Sequence, residues 1–180
     1  MKNVMKLTVA CLFMFIGLSV NAQTSKDQKI INDAATAKAK LIAEDPGLTS
    51  FFSDAAGYVI FPNVGKGGFI IGGASGNGVV YDHGTKIGMA DLKKLNVGLQ
   101  AGGQAIIEVI FFKTASDLNH FKEGNFEFSA EASAVAVKSG KAVNAQYKDG
   151  VAVFALPKAG LMADASVGGQ KFEYTPFTMK

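Results

Sequence analysis

The sequence predicts an α+β fold, mostly antiparallel β-sheet with an N-terminal amphipathic helix and a short internal helix. Three observations carry this. Apolar residues recur at helical spacing near the start of the chain, glycine-punctuated β-branched and aromatic runs fill most of the rest, and an Asp-Gly pair separates two of those runs near residue 150. With 48% hydrophobic and 18% charged residues, the chain has the apolar content for a packed core and lacks the composition of a disordered one.

The stretch from Met1 to Ala22 reads as a secretory signal peptide. Lys2 and Lys6 precede an apolar run from Leu7 to Val20, and Val20-Asn21-Ala22 offers small residues for cleavage. A membrane-spanning helix needs about 20 apolar residues, more than this run holds. Of the 180 residues, the 158 after Ala22 suit one domain. The expected location is therefore outside the cytoplasm, periplasmic or secreted, with peripheral membrane attachment allowed.

Ser25-Lys26-Asp27-Gln28 has capping-box form, and Ile30, Ile31, Ala34, Ala35, Leu41 and Ile42 repeat at helical spacing until Glu44-Asp45-Pro46-Gly47 stops them. On the opposite face stand Lys26, Lys29, Asp33, Lys40 and Glu44, whereas Lys38 falls inside the apolar arc and must snorkel or meet a partner. Phe51 and Phe52 follow, either as surface anchors or as a staple into the core.

From Gly57 the pattern is that of strands: Gly57 to Phe61, Phe69 to Ala74, Val79 to Tyr81 and Ala105 to Phe112, with a short helix over Ser116 to Lys122. Asp149-Gly150 predicts a two-residue type I′ turn between Val143 to Lys148 and Val151 to Leu156. That register puts Val143, Ala145, Tyr147, Ala152, Phe154 and Leu156 on one core face. Gly76-Asn77-Gly78 reads as a second turn. Glu108, on a strand face with Ile106 and Ile110, must be paired, protonated or at a sheet edge.

Composition and spacing exclude several function classes. All 18 basic residues are lysine, and the region after Ala22 carries 16 of them against 15 acidic residues, so neither arginine nor a basic excess is available for nucleic acid. The single cysteine, Cys11, lies in the leader, and His83 and His120 stand apart without a metal-binding pattern. The glycine-rich stretch from Gly65 to Gly78 matches neither GxxxxGK[ST] nor GxGxxG, and Gly73-Ala74-Ser75-Gly76-Asn77 lacks the second glycine of a nucleophile elbow. No catalytic residue, metal ligand or cofactor is expected.

The order of the glycine-studded segments resembles the SYLF lipid-binding family. The likeness runs through Ala56-Gly57-Tyr58-Val59-Ile60-Phe61-Pro62, Lys66-Gly67-Gly68-Phe69-Ile70-Ile71-Gly72-Gly73 and Gly76-Asn77-Gly78-Val79-Val80. It continues in Val97-Gly98-Leu99-Gln100-Ala101-Gly102-Gly103-Gln104 and in Lys158-Ala159-Gly160-Leu161 before Ser166-Val167-Gly168-Gly169. The resemblance implies a single SYLF-like domain over residues 23–180 that binds membrane lipid without catalysis. Phosphoinositide recognition and actin association belong to eukaryotic members with additional modules. Where the family carries Trp-Ser-x-Pro this chain has Ile87-Gly88-Met89-Ala90-Asp91, and its Gly-Pro-x-Gly is replaced by Val137-Lys138-Ser139-Gly140. Anionic envelope lipid is therefore the expected partner, and actin is not expected for an exported bacterial protein.

The candidate lipid-binding residues are Lys26, Lys29, Lys40, Phe51, Phe52, Lys66 and Lys158. The alternative is a small structural outer-membrane or envelope β-protein without specific lipid recognition. Intact-mass analysis of exported protein is expected to show a chain beginning at Gln23; a species beginning at Met1, or acylated at Cys11, would overturn the leader reading.

Overall fold

The computed structural model describes residues 25–65, 74–94, 105–124, 126–129, 132–158 and 165–177. The leader, Lys66 and the glycine-rich stretches 66–73 and 95–104 lie outside the described residues. Among the described residues the elements are helix α1 (25–44), then α2 (Leu48–Asp54), β1 (Gly57–Val64), β2 (Ala74–Asp82), β3 (Thr85–Lys94) and β4 (Ile106–Phe112). There follow α3 (Ala115–Lys122), β5 (Ser133–Ala136), a 3-10 turn (Ala142–Asn144), β6 (Val151–Pro157), β7 (Ala165–Ser166) and β8 (Gln170–Pro176). The α+β class read from the sequence is the one observed.

The strands form one sheet in the order β7-β5-β6-β4-β1-β2-β3-β8, antiparallel except for the parallel β5–β6 pair. The sheet curls on itself. Its terminal strands β7 and β8 are linked through residues 167–169, the Phe128 N–H donates to the Gln170 carbonyl (3.2 Å), and the Val167 N–H donates to the Ala132 carbonyl (3.0 Å). The concave side encloses Val59, Phe61, Val80, Leu92, Ile110, Phe112, Phe128, Val153 and Phe172, and Leu118 and Phe121 of α3 pack into the same cluster. The convex side of β1, β4 and β6 presents Tyr58, Ile60, Val109, Phe111 and Phe154 to Ala34, Ala37 and Leu41 of α1 and to Leu48 and Phe52 of α2.

Strand β4 explains the continuous apolar run seen in the sequence. Ile107, Val109 and Phe111 face the helices, whereas Ile110 and Phe112 face the enclosed side, so both faces of the strand are dry. Helix α3 begins with a capping box in which the Thr114 side chain accepts from the Asp117 N–H and the Asp117 carboxylate accepts from the Thr114 N–H. Ser25 is already helical, so the capping box read at Ser25 to Gln28 does not mark the helix start.

Two strand and turn expectations are corrected. Gly76-Asn77-Gly78 is not a turn but the middle of β2. A Cβ at position 78 would lie 2.6 Å from the Phe61 ring, so the glycine serves close packing of that ring. The turn between β2 and β3 is His83-Gly84, with φ of 45° and 82°. The segment before Asp149 is not a strand either. Residues Ala142–Asn144 form a 3-10 turn, and Val143 is 76% exposed, although Ala145, Tyr147, Ala152, Phe154 and Leu156 do share the helix-side core.

The exterior bears on the membrane-barrel alternative. Outside the region covered by α1 and α2, the convex face of β2, β3 and β8 carries paired polar residues: Asn77 bonds Asp91, Lys93 bonds Glu173 (3.2 Å), and Lys171 bonds Glu127 (3.3 Å). A lipid-spanning barrel presents an apolar outer band there. Among the described residues, the paired polar exterior of β2, β3 and β8 and the phenylalanine-filled interior differ from that arrangement.

A buried carboxylate fastens the α1–α2 corner. Asp45, 1% exposed, accepts from the Ala142 N–H at 2.7 Å and from the Gly47 N–H at 3.0 Å. Burial alone pushes its carboxyl up, but the backbone N–H groups of Ala142, Gly47, Gly140 and Lys141 outweigh burial and hold it below the ordinary carboxylate range. Because the folded value is the lower one, the stabilisation is fully present above the unfolded value of about 3.9 and is lost as pH falls through the folded value. Asp45→Asn is expected to lower stability at neutral pH by roughly 1–3 kcal/mol and to flatten the fall in melting temperature as pH drops below the ordinary carboxylate value of about 3.9; parallel melts of the two proteins from neutral to acid pH provide the check.

The Asp149-Gly150 turn is as expected. Both residues have positive φ, 49° and 80°, and Lys148 faces Val151 in an isolated bridge. The turn also rests on α3, since a Cβ at position 150 would stand 2.2 Å from the Asp117 carboxylate. Gly150→Val is expected to destabilise the domain by on the order of 1–3 kcal/mol through strain at positive φ, with the collision at Asp117 adding to it. An unchanged thermal midpoint would refute this account of the turn.

Candidate functional site: a lysine-lined cleft beside the first helix

The stripe of α1 that the sequence places opposite its apolar face lies along the sheet margin rather than standing free. Lys29, Asp33, Thr36, Ala37 and Lys40 form one wall of a cleft of about 280 Å³. The other wall comes from Pro62 and Asn63 at the end of β1, Ile107 near the start of β4, and Lys158 just beyond β6. Antiparallel pairing of β4 with both β1 and β6 brings these three strand ends together. Residues more than a hundred positions apart thus meet at one end of the sheet, opposite α3.

The charges within the cleft are differently engaged. Lys29 Nζ pairs with the Asp33 carboxylate at 2.8 Å, one helical turn away. Lys158 Nζ donates to the Asn63 side-chain oxygen, a neutral acceptor, and has no acidic partner among the described residues. Lys40 is exposed. Three ammonium groups, one carboxylate, an amide and a hydroxyl therefore line an open polar cleft with a small apolar floor. Such a donor set can receive an anion. It offers no base paired with a nucleophile.

Of the seven residues singled out in the sequence, the cleft brings together Lys29, Lys40 and Lys158. Lys26 is exposed on α1 but does not line it, and Lys66 lies outside the described residues. Phe51 and Phe52 are not surface anchors, which corrects one of the two readings left open for them. Phe52 is buried against Tyr58 and Phe111, with ring centroids 5.1 and 4.8 Å apart, and Phe51 packs on Phe154 at 4.9 Å. The short helix α2 turns both rings inward against the sheet. Sequence reasoning missed Asn63 and Thr36. Thr36 stands one turn from both Asp33 and Lys40, so helical spacing could have found it, but only the β1–β4 register brings Asn63 near.

Lys38 resolves as a residue with partners. Its Nζ donates to the Tyr58 hydroxyl at 3.1 Å and sits 4.5 Å above the Phe52 ring, a cation–π contact beneath the helix. Burial together with the neighbouring Tyr58 pushes the stacked Tyr81 phenol up to about 12.

Glu108 is fully buried on the enclosed side, and its Oε2 accepts from Gln170 Nε2 at 3.0 Å. The bond ties β4 to β8 across the curled sheet. Because β4 lies between β1 and β6, Glu108 is not at an edge.

The histidines are peripheral. His83 pairs with Asp82 at 2.6 Å and His120 with Glu123 at 3.4 Å, all of them exposed side chains. Among the described residues no three His, Cys, Asp or Glu side chains group as a metal site, and no helix is long and apolar enough to cross a membrane.

Comparison with known proteins adds the lineage. Residues 93–175 match the model of the Ysc84 family, described as "Las17-binding protein actin regulator", and this is the SYLF domain that the glycine-studded segments resemble. Beta cell expansion factor A of Aeromonas veronii is 30% identical over 158 residues, covering 85% of this chain and 59% of that protein. The chain thus spans about three fifths of the length of the curated relative it matches. It is similar to the SYLF family over residues 93–175, and that family is one of lipid- or actin-related binding domains.

Proposed function

We propose that this chain is an exported, non-enzymatic, SYLF-like protein of the bacterial envelope. It binds anionic membrane lipid at the bilayer surface, with the headgroup received between α1 and the strand ends. The observation that carries the reading is the convergence of Lys29, Lys40 and Lys158 on one cleft with Asn63 and Thr36. Exposed lysines scattered for solubility would not need to meet there from two distant parts of the sequence. Each ammonium near an anionic surface contributes up to about 1 kcal/mol, so the cleft supplies reversible rather than permanent attachment. The family supports lipid binding in general, and an exported protein would meet envelope lipid before any cytoskeletal partner.

Co-sedimentation of the protein with phosphatidylcholine vesicles, with and without phosphatidylglycerol, tests the proposal. Binding is expected to favour the anionic vesicles and to weaken with salt. Lys40→Ala combined with Lys158→Ala is expected to cost on the order of tenfold in affinity, and Lys26→Ala, outside the cleft, much less. Equal binding to neutral and anionic vesicles, or an unaffected double variant, would overturn the assignment of this cleft.

A further inference from the structure

We infer that the cleft favours a doubly charged phosphate monoester over a singly charged phosphate diester, and that Asp33 restrains this preference by holding Lys29. The inference rests on the lipid reading above and adds a selecting residue to it. Three ammonium groups and one carboxylate line the cleft, which leaves two positive charges to be matched. Asp33 does not act on all three lysines alike. It holds Lys29 at 2.8 Å, whereas among the described residues the Lys158 ammonium bonds only the neutral Asn63 amide and Lys40 has no side-chain partner.

A phosphate diester brings one negative charge and two unesterified oxygens, enough for Lys40 and Lys158 but with nothing to offer Lys29 against its built-in carboxylate. A monoester carries about −1.5 to −2 charges at neutral pH and three free oxygens. It can satisfy Lys40 and Lys158 and still compete for Lys29. That competition is feasible because the Lys29–Asp33 pair is largely exposed, at 75% and 38% for the two side chains, and exposed ion pairs hold weakly. Asp33 thus acts as an internal competitor for Lys29, and its removal benefits the more highly charged headgroup most.

The measurement compares phosphatidylcholine vesicles carrying equal mole fractions of phosphatidic acid or phosphatidylglycerol. Wild type and Asp33→Asn are tested with Glu173→Gln, which makes the same change in net charge on the far face of β8. The wild-type protein is expected to prefer phosphatidic acid. Asp33→Asn is expected to raise binding to phosphatidic acid by about threefold, binding to phosphatidylglycerol less, and so to widen the preference, and Glu173→Gln to leave the preference as in wild type.

A ratio unchanged by Asp33→Asn, or altered equally by Glu173→Gln, would overturn the inference while leaving lipid binding in place. Titration with soluble glycerol 3-phosphate, followed by amide shifts of Asp33 and Lys40, separates the two readings. Saturable shifts in a protein that ignores both vesicles, stronger than those with soluble glycerophosphoglycerol, would keep the monoester preference and remove the membrane as its source. No response to vesicles or to glycerol 3-phosphate would defeat both.

Discussion

The structure depends on keeping β1 and β4 dry on both faces. Tyr58 and Ile60 point one way from β1, Val59 and Phe61 the other, and β4 divides its side chains in the same manner. A flat sheet could not shield both sides, because each exposed phenylalanine would forgo about 1.5–3 kcal/mol of burial. Curling brings Phe172 of β8 to within 5.8 Å of Phe61 on the enclosed side, and α3 fills that side near the start of β1. On the other side α1 and α2 supply the cover. The lysine cleft is a by-product of this arrangement: it lies at the margin where the α1 cover ends against the strand ends.

Local chemistry was legible in the sequence wherever one segment decides its own conformation. The apolar spacing of α1, the positive-φ pair Asp149-Gly150, the short helix near Ser116 and the buried course of β4 were all readable, because each rests on neighbouring residues. Gly76-Asn77-Gly78 misled because its composition is that of a turn, whereas its cause is tertiary: Phe61 occupies the space a Cβ would need. The strand expected from Val143 to Lys148 failed for a related reason. Asp45 captures the Ala142 N–H from nearly a hundred residues away, and a 3-10 turn replaces extended pairing there.

The candidate site was half legible. Helical periodicity placed Lys29, Asp33 and Lys40 on one stripe, where the structure pairs Lys29 with Asp33 one turn away. Nothing in sequence spacing could say that Lys158 and Asn63 would complete that stripe, since their positions follow from the β1–β4–β6 register. Phe51 and Phe52 illustrate the converse. Adjacent aromatics look like a membrane anchor in one dimension, but α2 is short enough to turn both rings onto the sheet.

The pairing of β8 with β3 bears on how the chain reaches this state. Strands β1 to β3 are sequential antiparallel neighbours, and the β2–β3 hairpin closes through a two-residue turn. The β3–β8 ladder, in contrast, joins Lys93 to Lys171 and must close a chain loop of nearly eighty residues before its hydrogen bonds contribute anything. Such non-local closure is slow relative to hairpin formation. The phenylalanine-lined interior is therefore the last part of the molecule to be sealed, and during synthesis it stays open until the final strand has emerged. If the chain is exported as proposed, this order carries an advantage: a chain that cannot finish folding before its last residues are made stays unfolded, and so translocatable, for longer.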